Sequence, residues 1–140
     1  MAKTLTVIFG VILVLLGCLG FTSNSLIGAN ALFAADTMHN IIHLVLGGVL
    51  LAVAFWVGEN SVFWLKVIGA VVFLLGLIGL LTVPSTGGSL LGIAYTNGAS
   101  DWFHLVFGIV VFAAGMYGGG VAGAPLPLMS STPSNPQRII

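Results

Sequence analysis

The sequence has very few charged side chains. Lysine and arginine together number 3 and aspartate and glutamate together number 3 in 140 residues, so 4% of the chain is charged. A typical soluble domain carries about 25% charged residues, and this chain could not cover a water-soluble fold of its size. Its net charge is zero, which leaves no field to hold a nucleic acid. The composition therefore predicts a membrane protein that has the lipid bilayer around most of its surface.

Cysteine and the usual catalytic signatures are equally scarce. The single cysteine, Cys18, excludes an internal disulfide and a cysteine-rich metal centre. The sequence contains no His-Glu-x-x-His motif and no phosphate-binding Gly-x-x-x-x-Gly-Lys loop. It also has no acidic residue in the middle of an apolar segment, where a proton-coupled transporter needs one. We therefore predict that the protein is not an enzyme, and we assign no catalytic residue.

What the sequence does contain is four long apolar runs, at about 5–21, 38–57, 62–83 and 101–117. Roughly twenty helical residues cross a hydrocarbon core about 30 Å thick, so each run predicts a membrane-spanning helix. Asp36 and Thr37 are suited to cap the second helix, and Ser100 and Asp101 the fourth. The domain prediction is a four-helix transmembrane domain over 1–120, followed by a cytoplasmic tail rich in Pro, Gly and Ser over 121–140.

The few cations indicate how these helices are oriented in the membrane. Lys3, Lys66 and Arg138 fall on one side of a four-helix topology, and the two long loops on the other side contain no lysine or arginine. Because cytoplasmic segments are enriched in these residues, both termini are predicted to be cytoplasmic. The expected location is a bacterial inner membrane or a thylakoid membrane.

Two of the three histidines occupy the same place in a repeated motif, Asn/Asp-x-x-His-Leu-Val-x-Gly, which starts at Asn40 and again at Asp101. The glycines of the first and third runs also match in spacing: Gly10, Gly17 and Gly20 with Gly69, Gly76 and Gly79. Both matches favour duplication of a helix–loop–helix unit, with repeats at about 5–57 and 62–118. The predicted fold class is an all-α integral membrane four-helix bundle made of two parallel helical-hairpin repeats.

The duplication places His43 and His104 at equal depth, near the outer ends of the second and fourth helices. Asn40 and Asp101 stand three positions before them, on the same helix face. Such a residue can accept a hydrogen bond from one imidazole nitrogen and fix the tautomer of the ring. Asp36, His39, Asn40 and Asp101 are accordingly predicted to form a structural polar motif around the two histidines.

These motifs resemble those of an uncharacterised bacterial family of small four-helix membrane proteins, domain of unknown function 4383. The matching residues are His39-Asn40-Ile41-Ile42-His43-Leu44 with Gly47, and Asp101-Trp102-Phe103-His104-Leu105 with Gly108. The asparagine that precedes the tryptophan in the family's second motif is absent here. The resemblance covers about 5–118 and implies a fold and a membrane location, but no activity.

Three interpretations of the histidines remain open. The favoured one is structural, with each imidazole bonded to a neighbouring helix or loop. In the second, His43 and His104 are cofactor-binding residues that hold haem b by axial coordination, or chlorophyll magnesium. In the third, Asp36, His39 and His43 bind a divalent metal together with Asp101 or His104. No metal ligand is assigned at this point.

The absence of catalytic groups and the small-residue helix faces favour a non-catalytic role. The predicted function is an accessory or scaffolding subunit of a larger membrane complex, with other membrane-protein subunits as partners. The alternative is a haem- or chlorophyll-binding membrane protein that uses His43 and His104.

Overall fold

The computed structural model describes residues 1–120 and contains four long helices over that range: α1 Ala2–Leu19, α2 Thr37–Trp56, α3 Ser61–Thr82 and α4 Gly98–Gly120. Each is long and apolar enough to cross a membrane. The predicted all-α membrane bundle is thus confirmed for the described residues, and the predicted tail at 121–140 lies outside them. A short 3₁₀ turn, Gly58–Asn60, joins α2 to α3. We call that end of the bundle the turn end, and the opposite end, which carries the two long loops, the loop end.

The helices pack as two hairpins, α1 against α2 and α3 against α4. Glycine allows both pairs to approach closely. A Cβ atom at Gly47 of α2 would lie 2.7 Å from the carbonyl oxygen of Gly10, and one at Gly108 of α4 would lie 2.8 Å from that of Gly69. Neither place has room for a side chain, and such contacts between small residues bring membrane helices together.

The two hairpins meet in an apolar core to which all four helices contribute. Its buried members are Phe9, Leu13, Leu50, Leu65, Ile68, Val72 and Val111. The outward faces are apolar as well, with side chains such as Leu15, Val45, Leu74 and Val106 at least half exposed. A helix that is apolar on all sides is suited to a lipid environment rather than to water.

Each long loop contains a pair of very short strands, which the sequence analysis did not predict. In the first loop β1 (Ile27–Gly28) pairs in parallel with β2 (Phe33–Ala34), and in the second β3 (Gly88–Leu90) pairs antiparallel with β4 (Ala94–Thr96). Ile27, Ala34, Leu90 and Ala94 are buried. The loops therefore fold inward over the loop end of the bundle and close it.

Two helices, α2 and α4, start at the loop end, and the cap of α4 differs from the prediction. Asp36 caps α2 as predicted, since its Oδ1 accepts a hydrogen bond of 2.8 Å from the backbone N–H of His39. The prediction that Ser100 and Asp101 cap α4 is wrong. Asn97 takes that role, because its Oδ1 accepts a bond of 3.0 Å from the N–H of Ser100. The helix therefore begins at Gly98, one turn earlier than the apolar run, and places the polar pair inside its first turn.

Candidate functional site

All three histidines of the chain converge at the loop end. The ring centroids are 4.7 Å apart for His39 and His43, 5.2 Å for His39 and His104, and 5.8 Å for His43 and His104. One ring nitrogen from each residue lies within 4.8 Å of those of the other two. The chain has no further histidine, so its whole complement of imidazoles is in this one cluster, which we call the histidine cluster.

Three elements hold the histidine cluster. His39 and His43 lie one turn apart on the same face of α2, and His104 comes from α4. The third element is β4, where the backbone carbonyl of Tyr95 lies 2.8 Å from Nδ1 of His39. A carbonyl oxygen can only accept, so Nδ1 of His39 carries the proton and donates it. In the neutral ring this leaves Nε2 with a free lone pair, and that atom lies 3.4 Å from Nε2 of His104.

Burial leaves much of the cluster without hydrogen-bond partners. His39 and His43 are 6% and 8% exposed, and His104 is partly buried. The Nδ1 atoms of His43 and His104 are buried with no hydrogen bond to any described residue. An unsatisfied buried polar group costs about 1–3 kcal/mol. The favoured structural interpretation, in which each imidazole bonds to a neighbouring helix or loop, therefore accounts for His39 and, through the contact between the Nε2 atoms, for one side of the His104 ring. It gives His43 no hydrogen bond among the described residues.

The prediction that Asn40 and Asp101 orient the imidazoles is wrong. Within residues 1–120 no hydrogen bond joins Asn40 to His43 or Asp101 to His104. Each polar residue instead packs on a glycine of the partner segment, Asn40 on Gly20 at the C-cap of α1 and Asp101 on Gly79 of α3, where a Cβ atom would overlap the side chain. Residues three apart on a helix differ by about 60° in direction, so the polar side chain faces its own hairpin while the histidine faces the other.

Two carboxylates weighed as metal ligands stand outside the cluster. Asp36 is the cap of α2. Asp101 is fully buried and accepts a hydrogen bond of 2.7 Å from the hydroxyl of Thr96. The sequence analysis named His39 in the polar motif and, together with Asp36 and His43, as a possible ligand of a divalent metal. The structure places His39 beside both other histidines, and the carboxylates stand apart from them.

The histidine cluster separates two cavities. A cavity of about 40 Å³ lies on the side of the first loop, beside Ile27, Phe33 and Ala34. A larger one, of about 230 Å³, lies on the side of the β3–β4 hairpin. Apart from the imidazoles and Thr96, the larger cavity is lined by apolar residues, among them Leu90 and Phe107. Chemically, the site offers neutral nitrogen donors in apolar surroundings, a setting that favours binding of a transition-metal ion over a hard cation such as Mg²⁺.

A protein-family model described as Domain of unknown function (DUF4383) matches residues 3–117. The matched region includes all three histidines, both long loops and nearly all of the four helices. The match confirms the family predicted from the two histidine motifs. No curated protein and no solved structure matches the chain.

Proposed function

We propose that this chain, which belongs to the DUF4383 family of unknown function, is an integral membrane protein that binds one divalent transition-metal ion through His39, His43 and His104. The observation that supports this best is the convergence of every histidine of the chain on one buried point. Ionisable and polar groups are expensive at membrane depth, and those that cluster there commonly mark a functional site.

The distances fit an imidazole-bound ion. Zinc binds histidine nitrogens at about 2.0–2.1 Å in tetrahedral geometry, so two such nitrogens lie roughly 3.3 Å apart. The Nε2 atoms of His39 and His104 are 3.4 Å apart, and one nitrogen of each of the three rings lies within 4.8 Å of those of the other two. The bond from His39 to the carbonyl of Tyr95 is the kind of second contact that fixes the tautomer of a metal-binding histidine. Imidazole donors suit zinc, copper, iron and nickel alike.

The main alternative is a metal-free hydrogen bond, in which Nε2–H of His104 donates to Nε2 of His39. That bond accounts for the 3.4 Å contact. It gives no role to His43, whose Nδ1 has no partner among the described residues. An ion held by all three rings gives each of them a role, so we favour it.

The predicted haem b or chlorophyll at His43 and His104 remains a second proposal, and the third histidine counts against it. The ring of His39 lies 4.7 Å from that of His43 and 5.2 Å from that of His104, so a macrocycle between the pair would have to displace it. A visible absorption spectrum of the purified protein decides the matter. A Soret band that is lost in His43→Ala would favour the macrocycle, and a colourless protein would exclude it.

Metal binding can be tested directly, because the chain has few other donors. The protein would be purified in mild detergent with a tag that contains no histidine, stripped with a chelator and titrated with zinc. We expect one zinc per chain in the wild type and none retained by His43→Ala combined with His104→Ala. Cys18→Ser is the matched control, since it removes the only thiol and leaves the histidine cluster intact. Substoichiometric zinc in the wild type, or equal zinc in the double variant, would contradict the proposal.

The role of the whole protein as a non-catalytic accessory or scaffolding subunit also stays a proposal, and a bound ion is compatible with it. Its support is the absence of catalytic motifs in the sequence. Mass analysis of chains that co-purify in mild detergent tests it, and a lone monomer in every preparation would count against it.

The proposed topology has both termini in the cytoplasm of a bacterial or thylakoid membrane and the histidine cluster near the opposite face. The topology is supported by the positions of two cations, because cytoplasmic segments are enriched in lysine and arginine. Lys3 lies beside Gly58 at the turn end, and Lys66 lies beside Gly115 in the last turns of α4. Arg138 is outside the described residues. A reporter enzyme active only outside the cytoplasm, fused ahead of Met1, should be silent. The same reporter inserted at Asn30 of the first long loop should be active.

A further inference from the structure

The charges around the histidine cluster determine what else a bound metal ion needs. The chain has only three acidic residues. Glu59 lies in the 3₁₀ turn at the turn end, Asp36 caps α2, and Asp101 accepts its hydrogen bond from Thr96. None of the three belongs to the cluster, and none lines either cavity beside it.

A divalent ion held by three neutral imidazoles would therefore keep its full charge of +2. An uncompensated charge in apolar surroundings is strongly unfavourable. Asp101 is close enough to His39 to act on it through space, but no carboxylate of the described residues belongs to the cluster as a ligand. Three protein ligands also leave the fourth position of a tetrahedral ion open. Both considerations call for a fourth ligand that comes from outside the chain and carries negative charge.

We infer that the metal ion of the histidine cluster binds a small monoanion as its fourth ligand, in the cavity of about 230 Å³ beside the β3–β4 hairpin. This inference rests on the metal binding proposed above. When the anion binds, it forms a bond to the metal and replaces a metal-bound water, which leaves. This ligand exchange involves no oxidant or reductant. The net charge of the site then falls from +2 to +1.

The cavity limits the size of the anion. Pockets for drug-sized ligands span about 300–1,000 Å³, and this one is smaller. Its walls include Leu13, Val72, Leu90 and Phe107, which offer nothing to a polyatomic anion that needs several hydrogen bonds. A halide, hydroxide or azide ion, which needs the metal and little else, fits these walls better than a phosphate or a carboxylic acid substrate.

Anion binding should also depend on the metal. Of the cations in the chain, Lys3 lies at the turn end beside Gly58, and Lys66 lies beside Gly115, while neither lines the cavity. Without the metal ion, no lysine or arginine among residues 1–120 lines the cavity to attract an anion. This separates the inference from simple anion binding at a basic patch.

Cobalt(II) is a suitable probe, because its visible spectrum reports both the geometry and the identity of the fourth ligand. The full-length protein in detergent would be loaded with cobalt(II) and titrated with sodium azide. We expect strong visible bands of a four-coordinate ion, a saturable shift with azide, and neither feature in His39→Ser. The metal-free protein should bind no azide, as measured by the infrared band of the ion.

A variant that fills the cavity tests its part in binding. Ala94→Leu adds bulk from β4 where Ala94 lines the cavity, so it should keep the cobalt bands and weaken azide binding by about ten-fold or more. Ala29→Leu, on the exposed first loop, is the matched control and should leave both unchanged. If Ala94→Leu loses the cobalt bands, Val72→Leu repeats the comparison from α3.

The outcomes separate the two proposals. Cobalt bands that do not change with azide would overturn the inference and leave metal binding in place. An azide shift that is equal in Ala94→Leu and the wild type would place the anion elsewhere and would also overturn it. Absence of cobalt bands in the wild type would contradict metal binding itself, and the inference would fail with it.

Discussion

The first hairpin, α1 with α2, and the second, α3 with α4, use the same polar positions in reciprocal ways. His39 of the first hairpin donates to the carbonyl of Tyr95 in the second loop. Ser100, which occupies the matching place in the second hairpin, donates from its hydroxyl to the carbonyl of Ala34 in the first loop, at 3.1 Å. Each hairpin is thus tied to the loop of the other through the residue that precedes its Asn or Asp.

The difference between the hairpins is the side chain at that matching place. The first hairpin has an imidazole there and the second a hydroxyl, so two matching histidines, His43 and His104, are joined by a third that has no counterpart. Under the proposed metal binding, His39 adds a third nitrogen ligand to the pair. The predicted duplication stays a prediction, and the matching caps Asp36 and Asn97 are consistent with it. Exchanging residues between matching places is the direct way to test this comparison.

The largest effect is expected from His39→Ser, which gives the first hairpin the side chain of the second. Loss of the hydrogen bond that orients a metal-binding side chain commonly lowers metal affinity 10–100-fold. Loss of a metal-binding side chain itself should therefore lower the affinity about 100-fold or more. Zinc competition against a chromophoric chelator measures it. Ser100→Ala is the control: it removes one hydrogen bond and keeps all three imidazoles, so its zinc affinity should match the wild type. Unchanged affinity in His39→Ser would show that this residue is not a ligand.

The next effect concerns the glycines that pack each hairpin. A Cβ atom at Gly108 would overlap the backbone nitrogen of Phe73, and one at Gly47 would lie 2.7 Å from the carbonyl oxygen of Gly10. Overpacking costs about 1–3 kcal/mol in the free energy of unfolding. We expect Gly108→Ala to fall at the upper end of that range and Gly47→Ala below it, as measured by denaturant titration in detergent.

Gly48 supplies the control for that comparison. A Cβ atom there meets nothing within 4 Å, so Gly48→Ala should be neutral or stabilising by up to about 1 kcal/mol, because alanine favours the helix. Equal losses in Gly47→Ala and Gly48→Ala would show that the close approach of α1 and α2 is not what the glycine serves.

An effect of similar size is expected where the hydroxyl of Thr96 donates a hydrogen bond to Asp101. The matching residues of the first hairpin are Ala35 and Asn40, and the Oδ1 of Asn40 has no partner among the described residues. Thr96→Ala should therefore cost about 1–3 kcal/mol, since it leaves the fully buried Asp101 without its hydrogen bond. Adding Asp101→Asn recreates the first hairpin's pair and should recover much of the loss. A double variant as unstable as the sum of the singles would contradict the coupling.

Much of the fold could be predicted because its causes are local in the sequence. Apolar runs of spanning length indicate helices, and the glycine spacing shared by the first and third runs marks the surfaces on which the hairpins close. The prediction of the α4 cap failed for a local reason too. Asn97 and Ser100 are both good caps, and the apolar pattern does not distinguish between them. Strands of two or three residues such as β1 and β3 are too short to show an alternating pattern.

The site was harder to predict because it depends on contacts between distant segments. The tautomer of His39 is set by Tyr95, which reaches it only after the second loop folds back over the bundle. The directions of Asn40 and Asp101 depend on Gly20 at the C-cap of α1 and on Gly79 of α3. Sequence spacing shows which residues share a helix face, but it does not show which neighbour that face meets.

The smallest effect is expected in the turn that joins β3 to β4. Residues 91–93 connect β3 to β4, and the N–H of Ile93 donates a hydrogen bond of 3.0 Å to the carbonyl of Leu90. The central residues of that turn, Leu91 and Gly92, have φ angles of 55° and 72°, the sign that a type I′ turn requires at both. Positive φ is unfavourable for leucine and tolerated by asparagine, and the side chain of Leu91 is 60% exposed. Leu91→Asn should therefore stabilise the fold by up to about 1 kcal/mol and leave zinc affinity unchanged, measured by denaturant titration and zinc competition on the same sample. Loss of stability would mean that this leucine packs against the bilayer or against another chain, and that its strained backbone serves that contact.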